Sequence, residues 1–321
     1  VSKTALWHRH ASLAYLAVLA GVMGHASSEF VSVLTGLRGP EVSVWRFSIG
    51  AVGLVILCLL RSDTRDLIGP LRQDLWPIVG LSVLGFAVAY LFFHWALDFA
   101  TVPQVAITVT TMPIFIAIVN QWRTGERITP VKWVTGIAAV LAIAVLITDG
   151  AVAQLAGTGD DLIGILMALG CAVFGGGFMV FARPYFAKYG ALRMTTLSIS
   201  IAAVTLWVGV GALFGIWVDF ATLLARRPAE AAAILALGLY NTTITQWLWL
   251  GGLAAAPDIA RAGYLFFLKP VIAALLALVF LAQPVTAVDW VAIVVICGAV
   301  AVEFFWTQVR ARVGRPVRKP A

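Results

Sequence analysis

Hydrophobic residues run in long blocks along this chain, and polar residues gather in the short stretches between them. Measured against roughly 20 residues per bilayer crossing, ten blocks stand out: 11–34, 41–60, 75–97, 102–120, 131–149, 161–182, 192–216, 230–252, 259–281 and 286–306. Each predicts a membrane-spanning α-helix, because in lipid a helix satisfies its own backbone hydrogen bonds. The connections are too short to hold a soluble domain. Composition agrees: 61% of the 321 residues are hydrophobic and 12% charged, against about 25% charged in a soluble domain. The first block is too long for a cleavable signal peptide and is broken by Gly24, His25, Ser27, Ser28 and Glu29. Cys58, Cys171 and Cys297 lie inside blocks without metal-ligand spacing and read as apolar packing residues.

The net charge of +7 does not point to nucleic acid, because the basic residues sort by side of the membrane. Seventeen fall on one side: Lys3, Arg9, Arg61, Arg65, Arg72, Arg123, Arg127, Lys132, Arg183, Lys188, Arg193, Arg261 and the tail residues Arg310, Arg312, Arg315, Arg318 and Lys319. Three, Arg38, Arg226 and Arg227, fall on the other. The richer side is cytoplasmic by the positive-inside rule, so both termini are expected there. Arg46 and Lys269 remain, and both lie inside spans.

Shifting the chain by 157 residues aligns its halves without a gap over one stretch: Tyr90 with Trp247, Pro113 with Pro270, Glu126 with Gln283, Thr129 with Thr286 and Trp133 with Trp290. The first helices match loosely, Gly21 with Gly170 and Ser27 with Gly176. This punctuation predicts a duplication, with residues 1–150 as one five-helix repeat and 151–321 as the other. Five is odd, so the second copy enters the membrane upside down. Inverted repeats of this kind suit alternating access around a site at the bilayer midplane.

Lys269 is the foremost candidate for that site. An ammonium at membrane depth costs about 2.5–3.5 kcal/mol on insertion scales. The neighbouring Pro270 leaves the Phe266 carbonyl without its helical partner. The repeat mate of Lys269 is Met112, so the shared fold does not need the charge. It either attracts a substrate carboxylate or anchors a structural ion pair, and it is the only clearly central cation. Tyr90 and Trp247 would face each other across a cavity and sandwich a flat side chain, unless they belong to an interfacial belt. His25 with Glu29, and His94 with Asp98, stand four apart on their helices at a depth Arg46 shares. They form either an outer gate or an ion network near the interface. Asn241, Thr243 and Gln246 belong to a dense polar run in span eight, Tyr240 to Gln246, that either lines the cavity or bonds neighbouring helices. Tyr264 adds a possible aromatic wall. Glu303 is expected to reach the inner interface.

The segments "VSVWRFSIG", "TTMPIFIAIVNQWRTGE" and "LKPVIAALLALVFLAQ" resemble the drug/metabolite transporter superfamily in its ten-helix EamA-type branch, over nearly the whole chain. Among subfamilies the chain looks most like the YddG-type exporters of aromatic amino acids. The EamA-type branch usually closes the last two motifs with Glu; Glu126 fits and Gln283 departs, so this pair receives no coupling role. The resemblance implies an all-α exporter of the bacterial inner membrane. Its central cavity would be walled by spans one, three, four, six, eight and nine, with amino acids as substrate and no cofactor. Export of other small metabolites or drugs is the alternative. An intramembrane enzyme is disfavoured because no HExxH, GxSxG or phosphate-binding loop is present. A channel is disfavoured because no ring motif is seen. No nucleotide-binding domain lies in the chain, so no ATPase partner is implied. The oligomeric state is open.

Overall fold

The computed structural model describes residues 10–37, 39–148, 150–151, 159–281 and 286–313. The side chain of Glu29, Gln283, Arg38 and the outermost basic residues of both termini lie outside the described residues. Among the described residues the fold is all-helical, and nine helices are long and apolar enough to cross a membrane. The helices are α1 (Ala11–Leu34), α2 (Gly39–Leu60), α3 (Ile68–Ser82), α4 (Ala89–Ala96), α5 (Val102–Thr110), α6 (Met112–Thr124), α7 (Pro130–Ile147), α8 (Gly159–Phe181), α9 (Arg183–Tyr189), α10 (Ala191–Phe214), α11 (Pro228–Gly238), α12 (Thr245–Ala255), α13 (Ile259–Tyr264), α14 (Leu268–Leu281) and α15 (Ala287–Val313). The third block begins earlier than the hydrophobic run suggests, since the helix already starts at Ile68. Residues 228–255 are helical throughout but too polar in the middle to qualify as an apolar crossing.

Four helical rods are interrupted, and the interruptions recur. A π turn, Val83–Val88, joins α3 to α4, and a second, Leu239–Ile244, joins α11 to α12. Thr111 breaks α5 from α6 just before Pro113, and a 3₁₀ turn, Leu265–Phe267, breaks α13 from α14 just before Pro270. Proline has no N–H to give the carbonyl four residues back, so each break falls in the turn preceding it. Helix starts recur as well. Thr101 and Asp258 cap α5 and α13 by accepting from the backbone N–H three residues on. Thr129 and Thr286 accept in the same way from Lys132 and Asp289.

In packing, α1 lies along α12, α2 along α10, α7 against α15, and α8 against α4, α5 and α6. Close approach of α1 and α12 is set by glycine. A Cβ on Gly21 would lie 2.8 Å from the Trp249 Cα, and one on Gly252 would lie 2.7 Å from the Ala14 carbonyl oxygen. Small residues let helix backbones gain dispersion contact where lipid gives no hydrophobic drive. At one end of the bundle Lys132 pairs with Asp258 at 3.2 Å and with Glu303 at 3.4 Å. Glu303 is buried, so it does not reach interfacial water as expected; two nearby cations, Lys132 and Arg261, make its burial tolerable. On the same face Lys188, between spans, bonds Asp74 at 2.6 Å. That bond raises the Lys188 ammonium above its ordinary pKa.

Candidate functional site

The helix interruptions surround an internal chamber. Its walls come from α1 (His25, Ser28), α2 (Arg46), the first π turn and α4 (Gly85, Phe86, Ala89, Tyr90, Phe93), α5 and α6 (Val109, Met112), α8 (Cys171, Gly175, Met179), α12 (Gln246, Trp249) and the second proline break (Phe266, Lys269). Both residues whose carbonyls the prolines leave without a helical donor, Val109 and Phe266, are in the wall. The free space is about 50 Å³. At roughly 10–15 Å³ per water on this measure it admits a few waters. That space is smaller than a metabolite.

Among the described residues two cations line the chamber, not one. Lys269 is buried, with its ammonium 5.6 Å from the centre of the Phe266 ring. Arg46, buried on α2, corrects the expectation of a single central charge. Its guanidinium lies 5.1 Å from the Tyr90 ring centre, donates to the Thr242 hydroxyl at 3.1 Å and donates to the Asn241 carbonyl at 3.2 Å. The second π turn explains this seat. A π turn widens the helix and loosens its carbonyls. The hydroxyls of Thr242, Thr243 and Thr245 reach back five residues to the carbonyls of Leu237, Gly238 and Tyr240 at 2.9, 3.3 and 2.9 Å. Thr242 thereby spends its proton on Leu237 and offers its lone pairs to Arg46.

The rings form the rest of the wall. Tyr90 stacks on Phe86 at 6.1 Å and meets Phe47 edge-on at 4.7 Å. Its hydroxyl accepts from the Gln246 amide at 2.7 Å, which ties α4 to α12 across the chamber. Trp249 and Phe266 lie 5.2 Å apart, and His25 meets both edge-on at 5.8 Å. The Gln246 Oε1 and the His25 Nε2 are buried without a hydrogen-bond partner among the described residues. Each is a polar atom at the chamber wall whose satisfaction a bound solute could supply.

Of the expected site residues, Lys269, Tyr90, Gln246, His25 and Arg46 meet at the chamber. Arg46 is a wall residue rather than part of an outer gate. His94 stands behind Tyr90, its ring bonded to the Ser43 hydroxyl. Asn241 and Thr243 face away from the chamber and hold helices together. Asn241 donates to the Gly24 carbonyl at 2.7 Å and to the Ser27 hydroxyl at 2.8 Å, and Thr243 donates to the Gly50 carbonyl at 3.0 Å. Tyr264 points to α7, where its hydroxyl donates to the Lys132 carbonyl. Asp98 is exposed beside Gly39.

Trp247 does not reach the chamber; Trp249 does. The two π turns start 156 residues apart, at Val83 and Leu239, whereas the capped helix starts, Thr101 and Asp258, are 157 apart. Upstream of the caps the π turns therefore compare the two halves one position away from the ungapped alignment. One residue turns a helix face by 100°. In the register of the π turns Tyr90 corresponds to Gln246 and Phe93 to Trp249, and all four line the chamber. Phe86, Phe93, Trp249, Phe266 and Met179 were not singled out by sequence. Spacing of three and four along 86–93 and 246–249 is the signal that would have grouped most of them.

A bundle of membrane helices around a buried chamber that holds cations and rings defines a carrier for small solutes rather than a lipid-facing structural protein. The comparisons agree. The sequence matches the EamA-like transporter family at residues 11–148 and again at 162–305, and the chain belongs to that family. It is 26% identical over 261 residues to the uncharacterized transporter YdfC of Bacillus subtilis (strain 168), covering 72% of this chain and 81% of that one. A crystal structure superposes with a TM-score of 0.77 at 23% identity, over 95% of this chain and 99% of the other, which is a likeness of fold. The chain is a multi-pass protein of the bacterial inner membrane.

Proposed function

We propose that the chain is a secondary exporter of aromatic amino acids that works by alternating access through its chamber. The observation that carries this reading is the pairing of Arg46 and Lys269 with the rings of Phe86, Tyr90, Phe93, Trp249 and Phe266 in one wall. A carboxylate meets the cations through charge-assisted hydrogen bonds, about 1.5–3 kcal/mol each. A flat side chain gains about 0.5–1.5 kcal/mol per ring contact beyond its buried area. The open acceptor on Gln246 suits the ammonium of the same zwitterion.

In this reading residues 1–150 and 151–321 are copies inserted in opposite senses, with 228–255 as a tenth crossing and both termini in the cytoplasm. The double family match, the recurring caps and the paired π turns support the duplication. The charge bias supports the orientation. Flux into proteoliposomes tests the substrate. Saturable uptake of labelled phenylalanine or tryptophan, competed by tyrosine and not by alanine, is expected. Equal transport of alanine would overturn the substrate class. Labelling of a tail cysteine in intact cells by an impermeant reagent would overturn the orientation.

A further inference from the structure

A second cavity lies outside the chamber. It is an open cleft of about 440 Å³ where the start of α3 meets the ends of α6 and α8 and the short α9. Its lining is Asp74, Pro77, Leu81, Arg123, Phe181, Pro184, Tyr185 and Lys188. Arg123 stands over the Phe181 ring at 5.3 Å and donates to the Val180 carbonyl at 2.6 Å.

The cleft and the chamber share two helical walls and almost meet. Leu81 lines the cleft and Gly85 the chamber, four residues apart, which is about 6 Å of helix. On α8, Phe181 lines the cleft and Met179 the chamber. Three rings in contact run from the chamber wall to the helix that lines the cleft. Phe86 from the chamber wall meets Phe178 edge-on at 4.7 Å, and Phe178 meets Phe186 edge-on at 6.2 Å. Phe186 belongs to α9, whose Tyr185 lines the cleft. Phe178 is buried, and its seat is cut by a glycine: a Cβ on Gly85 would lie 2.4 Å from the Phe178 Cβ. Gly85 sits inside the π turn Val83–Val88, a segment whose backbone bonds are already wide.

We infer that the cleft is the vestibule through which an anionic or zwitterionic solute reaches the chamber, and that Phe178, wedged on Gly85 at the π turn, is the plug between them. Arg123 supplies a cation at the mouth. The plug is one helical turn thick, so a small displacement of α3 at the π turn joins the two spaces. Loading from this face rests on the export reading, which places these helix ends in the cytoplasm.

Cys171 in the chamber wall is a native reporter of the connection. The chain has three cysteines, so Cys58→Ala with Cys297→Ala leaves Cys171 alone. A charged, membrane-impermeant methanethiosulfonate is applied to sealed vesicles of each orientation. Lys188→Cys, made without the other thiols, marks the cleft face. Phe178→Ala should raise the rate of Cys171 modification about tenfold from the face that labels Lys188→Cys, as a plug-open population rises, and leave the opposite face unchanged. Phe178→Leu should give a smaller rise of the same sidedness, and it carries the test if the alanine variant does not fold. An unchanged rate in folded protein, or a rise from the opposite face, overturns the plug. Labelling needs no substrate. Vesicles that label as expected and move no aromatic amino acid would overturn the export reading alone; intact flux with unchanged labelling would overturn the plug alone.

Discussion

The two chamber walls built at matching positions, α4 with α6 and α12 with α14, share a backbone plan and differ in chemistry. Each has a π turn on one helix and a proline break on the next. In the first wall the inward positions are Phe86, Tyr90, Phe93, Val109 and Met112; in the second they include Gln246, Trp249, Phe266 and Lys269. The first π turn is apolar and packs on a phenylalanine. The second is studded with threonine and asparagine that bond α1 and α2 and seat Arg46. On this shared plan the first wall carries the rings of Phe86, Tyr90 and Phe93, and the second adds the polar groups of Gln246 and Lys269 to the rings of Trp249 and Phe266. The second turn is held by side-chain hydrogen bonds across helices, the first by apolar packing.

Substitutions that erase the difference should have the largest effects. Lys269→Met makes the second wall copy Met112 of the first. Loss of a charge-assisted contact of about 1.5–3 kcal/mol predicts a roughly 10- to 100-fold fall in aromatic amino-acid flux, with the protein still in the membrane. Wild-type flux from a well-expressed variant would remove Lys269 from the site.

Thr242→Val strips the acceptor for the Arg46 Nε from the polar turn while keeping its shape. A buried charged donor left short of a partner predicts a loss of about 1–3 kcal/mol, read as a lower thermal midpoint in detergent. Phe86→Leu, the corresponding change in the apolar turn, should lower the midpoint less. Equal or inverted shifts would erase the contrast between the hydrogen-bonded and the apolar turn.

Trp249→Ala should weaken transport of aromatic relative to small amino acids by about 0.5–1.5 kcal/mol, roughly 2- to 10-fold. Trp247→Ala should leave the ratio unchanged. The reverse outcome would restore the ungapped register and move the wall of α12 by one residue.

The smallest effect is expected outside both walls. Tyr264→Phe removes a hydroxyl bonded to the Lys132 carbonyl and should lower stability by about 0.5–1.5 kcal/mol with flux kinetics intact. A changed substrate preference would bring Tyr264 back to the site.

Much of this was legible in the chain. Lys269 was conspicuous because a charge in an apolar run is expensive enough to need a reason. Thr129, Thr286, Pro113 and Pro270 were legible because caps and proline breaks act through their own backbone neighbours. Trp247 misled because periodicity alone does not say which of two tryptophans two positions apart turns inward. Asn241 and Thr243 misled because a polar side chain in a membrane helix looks the same whether it faces a cavity or the next helix.

The sequence by itself determined nine of its ten expected membrane helices, the two proline breaks and the placing of Lys269 inside an apolar run, since these follow from local hydrophobicity and local backbone chemistry. Only the tertiary structure decided which faces meet. It brought Arg46 to the carbonyl of Asn241, 195 residues away, put Trp249 rather than Trp247 on the wall, and set Phe178 between Phe86 and Phe186. Helix rotation is set by packing against distant partners, and one residue of slip, 100° of turn, exchanges an inward side chain for an outward one.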